Sequence, residues 1–86
     1  MKVIIEAHTI EQMKKRGTTK EEISEVLATE VEYEAKHNRK KKSKVFPFHN
    51  TWEGKFYEEK KVEVVYTKEN DVIVTVTVFV FYGKWQ

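Results

Sequence analysis

Residues 72–82 read V-I-V-T-V-T-V-F-V-F-Y, a stretch without a charge, a glycine or a proline. Nearly every residue is β-branched or aromatic, the types that fit a pleated, half-buried surface. Side chains alternate faces along a strand. One face therefore carries Val72, Val74, Val76, Val78, Val80 and Tyr82, and the other Ile73, Thr75, Thr77, Phe79 and Phe81. The first face is almost purely apolar, and the second is hydroxylated in its middle. At a sheet edge this segment would be an aggregation template. The pattern predicts a central strand with a helical layer on its Val face. The Thr face is then covered less completely, and a half-polar patch on a rigid strand is the natural place for a site.

Eighty-six residues make one domain, 1–86, with no room for a second core. The chain has no cysteine, so neither a disulfide framework nor thiolate chemistry is available. The apolar run Val3 to Ile5 is too short for a signal-peptide core, and residues 72–82 are too few to cross a bilayer as a helix. The expectation is a soluble, cytoplasmic domain with no membrane partner. The formal net charge of +2 conceals an asymmetry. Lys36, Arg39, Lys40, Lys41, Lys42 and Lys44 form a block without an acid, which leaves ten of the sixteen bases against all fourteen acids elsewhere. Such a block is usually solvated, and it can attract a polyanion.

Lys2 to Ala7 reads as a short first strand. Thr9 precedes Gln12 by three residues, a capping-box spacing, so a first helix is expected from about Ile10 to Arg16. Lys14, Lys15 and Arg16 suit its last turn, and Gly17 its stop. Thr18 or Thr19, with Glu21 or Glu22, caps a second helix whose buried face is Ile23, Val26 and Leu27. From Val31 the period changes to two, a strand with Glu30, Glu32 and Glu34 on its solvated side. The basic block follows as a loop or hairpin tip. Val45, Phe46 and Phe48 make a short strand that Pro47 confines to an edge or a bulge. A turn over His49 to Gly54 and a strand over Phe56 to Thr67 come next. The turn Lys68 to Asp71 returns the chain into the long strand. The fold class is α+β, with two N-terminal helices on one face of an antiparallel sheet of four to five strands.

The segment His8 to Ile23, H-T-I-E-Q-M-K-K-R-G-T-T-K-E-E-I, resembles the start of the family catalogued as domain of unknown function 4258. The matching positions are His8, Met13, Arg16, Gly17, Thr19, Glu22 and Ile23. The closing V-E-V-V-Y and D-V-I-V-T-V-T-V-F-V-F-Y-G-K-W resemble that family's final hairpin. The middle, Lys36 to Trp52, departs from it, and Gln12 stands where a basic residue is expected. The family is similar in layout to the RelE and BrnT toxins, small ribonucleases paired with antitoxins. The resemblance implies a metal-independent endoribonuclease or an RNA-binding domain, with no cofactor and with a cognate antitoxin as partner.

Cleavage of RNA without a metal needs a base for the 2′-hydroxyl, a cation for the phosphorane and an acid for the leaving oxygen. His8 is the candidate for proton transfer, at a strand-to-helix junction whose free N–H groups also suit a phosphate. Arg16 is the candidate phosphate clamp. Tyr82 is the candidate to stack on a base or donate a proton, as aromatics near the C-terminus do in RelE-like enzymes. Each has an ordinary alternative: a capping His8, a solvated Arg16 at the helix end, a Tyr82 that closes the core. Arg39, Lys40, Lys41, Lys42 and Lys44 are the RNA-binding candidates, with nearby aromatics for stacking. Thr75, Thr77, Lys61 and Glu63 would line the less apolar sheet face. His37 and His49 match no usual metal-ligand spacing, so no metal site is expected. The competing reading is a non-enzymatic protein- or RNA-binding module on the same fold. A homodimer through the Pro47 strand is compatible with either.

Overall fold

The computed structural model describes residues 2–85. The elements are β1 (Lys2–Ile4), α1 (Ala7–Arg16), α2 (Lys20–Thr29), β2 (Tyr33–Ala35), β3 (Arg39–Trp52), β4 (Lys55–Glu69) and β5 (Val72–Gly83). The fold is α+β, two helices against one five-stranded sheet in the order β1-β5-β4-β3-β2. β5 is interior only over Val72–Val74, paired with β4 on one side and β1 on the other; from Thr75 onward its outer side is a sheet edge among the described residues, which corrects the expectation of a central strand. The sheet is mixed, which corrects the all-antiparallel expectation. β1 lies parallel to β5, because the chain leaves the sheet after β1 and crosses it as two helices before re-entering at the opposite edge.

The largest departure from the expected pattern lies within β5. Val65 pairs with Thr77, but the next residue, Tyr66, pairs with Thr75. Val76 is therefore an extra residue, a β-bulge that interrupts the two-residue period. Before the bulge, Ile73 and Thr75 face the helices and are buried. After it, Val78 is buried on that side and Val80 and Tyr82 are half-buried there. Val72 and Val74 thus lie on the open face, not under the helices as strict alternation predicts. Thr75, expected on the less apolar face, is in the core.

Thr75 explains a second correction. α1 begins at Ala7, with Glu6 as its cap and no side-chain capping bond, so the Thr9–Gln12 box does not form. Thr9 is fully buried and its hydroxyl accepts a bond from Thr75 Oγ1 at 2.9 Å. The Glu6 N–H donates to the same Thr75 oxygen at 3.1 Å. A strand residue from the far end of the chain thus serves the start of the helix. α2 follows the local rule: Thr19 Oγ1 accepts from the Glu22 N–H at 3.1 Å. Met13, Ile23, Val26 and Leu27 then meet Val62, Val64, Tyr66, Ile73 and Val78 in one core. The Tyr66 hydroxyl satisfies itself by donating to Glu32 at 2.6 Å.

The basic block is not a loop. Only residues 36–38 turn; β3 starts at Arg39 and continues through the expected turn to Trp52. Pro47 borders a second bulge, where Phe48 and His49 stand against the single residue Glu58. β2 covers β3 only from Arg39 to Lys41, so Pro47 also lies on an outer strand. Glu53 and Gly54, both at positive φ, close the β3–β4 hairpin, a primed turn that suits the sheet twist. Among the described residues no helix is long and apolar enough to cross a membrane.

Gly17 ends α1 in the left-handed region at φ 84, with its N–H bonded to the Met13 carbonyl at 2.9 Å. A Cβ there would collide with the Tyr82 hydroxyl and lie 2.8 Å from the Trp52 ring. Gly17→Ala therefore combines backbone strain with overpacking and is expected to cost about 2–3 kcal/mol in urea unfolding. A loss below about 0.5 kcal/mol would show that this contact is slack.

Candidate nucleic-acid interface

β3 divides the basic block by the two-residue period. Lys40, Lys42 and Lys44 pair across β4 with Tyr66, Val64 and Val62, the buried row, so they rise on the helix side. Each finds a partner there. Lys40 is salt-bridged to Glu34. Lys42 Nζ donates to the Leu27 carbonyl at 2.7 Å, close to the C-terminal end of α2. Lys44 lies 3.2 Å from Glu25 and 3.6 Å from Glu30. Glu34 raises the titration of Lys40 through its hydrogen bond, and Glu25 does the same for Lys44.

Arg39 and Lys41 point the other way, onto the open face. They are half-buried, and neither has a side-chain hydrogen bond or ion pair among the described residues. Lys36, at the β2–β3 turn, is likewise without such a partner. The three cations share an open cleft of about 680 Å³ with two acids, Glu34 and Glu63, and with His37 and Phe79. Lys41, Val65 and Thr77 form one row across β3, β4 and β5, and Ser43, Glu63 and Phe79 the next. The β5 bulge sets this floor, because it turns both Val76 and Thr77 toward the cleft.

Phe79 joins this cleft to a second, smaller one of about 210 Å³ around Lys15 and Arg16. Its ring stacks with Phe81, centroids 6.4 Å apart, and both side chains are exposed. The Arg16 guanidinium lies 4.9 Å above the Phe79 centroid. Arg16 Nη1 donates to the Val78 carbonyl at 2.7 Å, on the side of β5 that β1 no longer covers. One donor of the guanidinium fork is thus used within the chain, and the fork remains half-exposed.

The three residues expected to act together do not converge. His8 is exposed in the first turn of α1. Arg16 ends the same helix eight residues on, about 12 Å away along the axis. Tyr82 meets Arg16 only through the backbone, its hydroxyl donating to the Arg16 carbonyl at 2.6 Å. Its ring is already stacked on Trp52, centroids 5.0 Å apart, and edged by Phe48 at 5.2 Å. Burial, and then the charges of Glu22 and Glu53, push its phenol up to about 12. Among the described residues no group of three His, Asp or Glu side chains is placed to hold a metal ion. His37 and His49 lie at opposite ends of β3.

The sequence reading passed over Phe79 and Phe81 as site residues and weighed His37 only as a metal ligand. The signal that finds them is the strand period carried through the basic block. His37, Arg39 and Lys41 alternate with Lys40, Lys42 and Lys44, and only one set can face the helices.

Tyr82 gives a pH-dependent consequence. The folded chain keeps a phenolic proton that the unfolded chain releases near pH 10, so this contribution is complete below pH 10 and is lost as pH rises toward 12. Stability to urea is expected to fall across that interval. In Tyr82→Phe the fall is shallower, leaving the share due to Tyr66, whose hydroxyl burial and the Glu32 bond also push upward. The same variant loses about 1 kcal/mol at neutral pH with the Arg16 carbonyl bond. An identical alkaline slope in both proteins would contradict this assignment.

In comparison with known proteins, no family model, no curated protein and no solved structure matches the chain.

Proposed function

We propose that this chain is a small RNA-binding domain of the RelE/BrnT toxin type, and that single-stranded RNA crosses the open face of its sheet. One observation carries the reading. Arg39 and Lys41 are held by a rigid strand without internal partners, beside the exposed pair Phe79 and Phe81. Unpaired cations on a fixed strand bind phosphates through counterion release, and exposed rings accept any base by stacking. Phe79 borders both clefts, so one track runs from Lys36, Arg39 and Lys41 over the rings to Lys15 and Arg16. The interface would be wet, salt-sensitive and tolerant of sequence.

A protein partner is the second reading, favoured by the outer side of β5. Beyond Val74 that side has no neighbouring strand among the described residues, and Arg16 occupies the Val78 carbonyl. An antitoxin segment could add a strand beside it.

The test is fluorescence anisotropy with a short 2′-O-methylated oligoribonucleotide over a range of salt. The wild-type protein is expected to show a steep loss of affinity with salt. The double variant Arg39→Ala, Lys41→Ala should bind at least about tenfold more weakly, with a log–log slope shallower by about 1.4, as two single-strand phosphate contacts predict. Lys42→Ala should leave the slope unchanged and lower stability by about 1 kcal/mol, because its amine serves Leu27 instead. Salt-independent or absent binding would sink the RNA reading and favour the protein partner.

A further inference from the structure

We infer, resting on the RNA-binding reading above, that the larger cleft selects one base of the bound strand, a guanine, and that Glu63 is the residue that reads it. Elsewhere the track stays tolerant of sequence; the preference belongs to a single position.

Strand register brings the two working groups together. Glu63 on β4 stands directly opposite Phe79 on β5. Both side chains lie on the open face, since their neighbours Val62, Val64 and Val78 are buried under the helices. Opposed residues of an antiparallel pair have Cβ atoms about 5 Å apart. Phe79 is exposed and lines both clefts. The Arg16 guanidinium, which lines the smaller one, lies over its ring. The side toward the larger cleft is left for a base to stack on. A base held there turns one edge to Glu63.

Glu63 is the group that calls for a ligand. It is half-buried and has neither a hydrogen bond nor an ion pair among the described residues. Glu34, the other acid of the cleft, is spent on Lys40. Lys41 lies in the row on one side of Glu63 and Lys61 in the row on the other, yet neither is ion-paired to it. Its own row is completed by Ser43 and holds no cation. An acid amid phosphate-binding cations weakens sequence-independent binding, because it repels the backbone that they attract. Its use in such a place is to accept N–H groups, which also satisfies a carboxylate that is partly withdrawn from water.

An ionised carboxylate has two acceptor oxygens and no donor. Of the four bases only guanine presents two adjacent donors on its Watson–Crick edge, the N1–H and the 2-amino group, so both oxygens are answered. In adenine and cytosine an acceptor ring nitrogen sits beside the amino group. In uracil the N3–H lies between two carbonyls. Each of these three sets a lone pair against the carboxylate. A single strand leaves this edge free for a protein to read. Arg39 and Lys41 then hold phosphate on one side of the guanine, and Lys61 on the other. The cleft, about 680 Å³, has room for one nucleotide unit.

The experiment is fluorescence anisotropy with 2′-O-methylated heptauridylate strands that carry guanine, adenine or hypoxanthine at the central position. Wild type is expected to bind the guanine strand at least about tenfold more tightly than the adenine strand, as a bidentate base contact predicts. Hypoxanthine keeps the N1–H and lacks the amino group, so its strand should fall between them. Glu63→Gln should hold the guanine and adenine strands within about threefold of each other, its binding of the adenine strand showing that the variant is folded. Glu69→Gln makes the same charge change at the exposed end of β4 and should keep the wild-type preference. Equal binding of all three strands by wild type overturns the guanine site and leaves the RNA reading standing. A preference for adenine, a guanine preference that survives in Glu63→Gln, or one that is lost in Glu69→Gln also overturns it. Absence of binding to every strand overturns both readings.

Discussion

The single extra residue at Val76 sets the architecture on both sides of the sheet. A strand with an uninterrupted two-residue period would bury Val72 and Val74 and expose Ile73 and Thr75. The bulge reverses this for the first half of β5 and leaves the second half as the alternation demands. Thr75 then reaches Thr9 and the Glu6 N–H, which fixes where α1 starts. Val78, Val80 and Tyr82 follow α1 to its end, where Tyr82 closes over the Arg16 carbonyl and packs against Gly17. On the other side, Val76 and Thr77 together turn toward the cleft and help form its floor. One backbone irregularity thus positions the helix and shapes the open face, a pairing common where bulges lie beside sites.

The second organising constraint is electrostatic, and it works through the same period. A run of like charges is costly to hold on one surface, but a strand deals it to two. Lys40, Lys42 and Lys44 are spent on the acids and carbonyls of α2 and the segment after it. They tie β3 to the helical layer, and their charge is largely answered there. Lys36, Arg39 and Lys41 lie instead on the open face, in a cleft that Glu34 and Glu63 also line, and none of the three is ion-paired among the described residues. On that face Arg39 and Lys41 stand close to the exposed rings of Phe79 and Phe81. Composition alone locates this charge in the segment; pairing decides which half of it is available.

Much of the fold was legible in the chain. The Thr19 cap, the Gly17 stop, the Ile23–Val26–Leu27 face and the strand character of residues 72–82 all follow from local stereochemistry and burial. They hold because each depends on residues near in sequence or on the plain need to cover apolar surface. The misreadings share a cause. The start of α1, the parallel β1, the bulge and the strand character of Arg39 to Lys44 each depend on a partner far along the chain. Thr75 is 66 residues from Thr9, and nothing around Thr9 announces it. The candidate site was legible to a similar degree. The basic segment and the polar sheet face were visible, whereas the cleft that His37, Glu63 and Phe79 line together was not.

By itself, the sequence determined that the chain is a two-helix α+β domain whose apolar segment is a strand packed under the helices, and that much of its positive charge is gathered in one segment. These are properties of composition and period, set within a few residues. Only the tertiary structure decided which face of each strand is covered, which lysines are paired and which titratable groups share a cleft. Those outcomes depend on register, and register is fixed by long-range pairing, where one inserted residue exchanges the two faces of a strand.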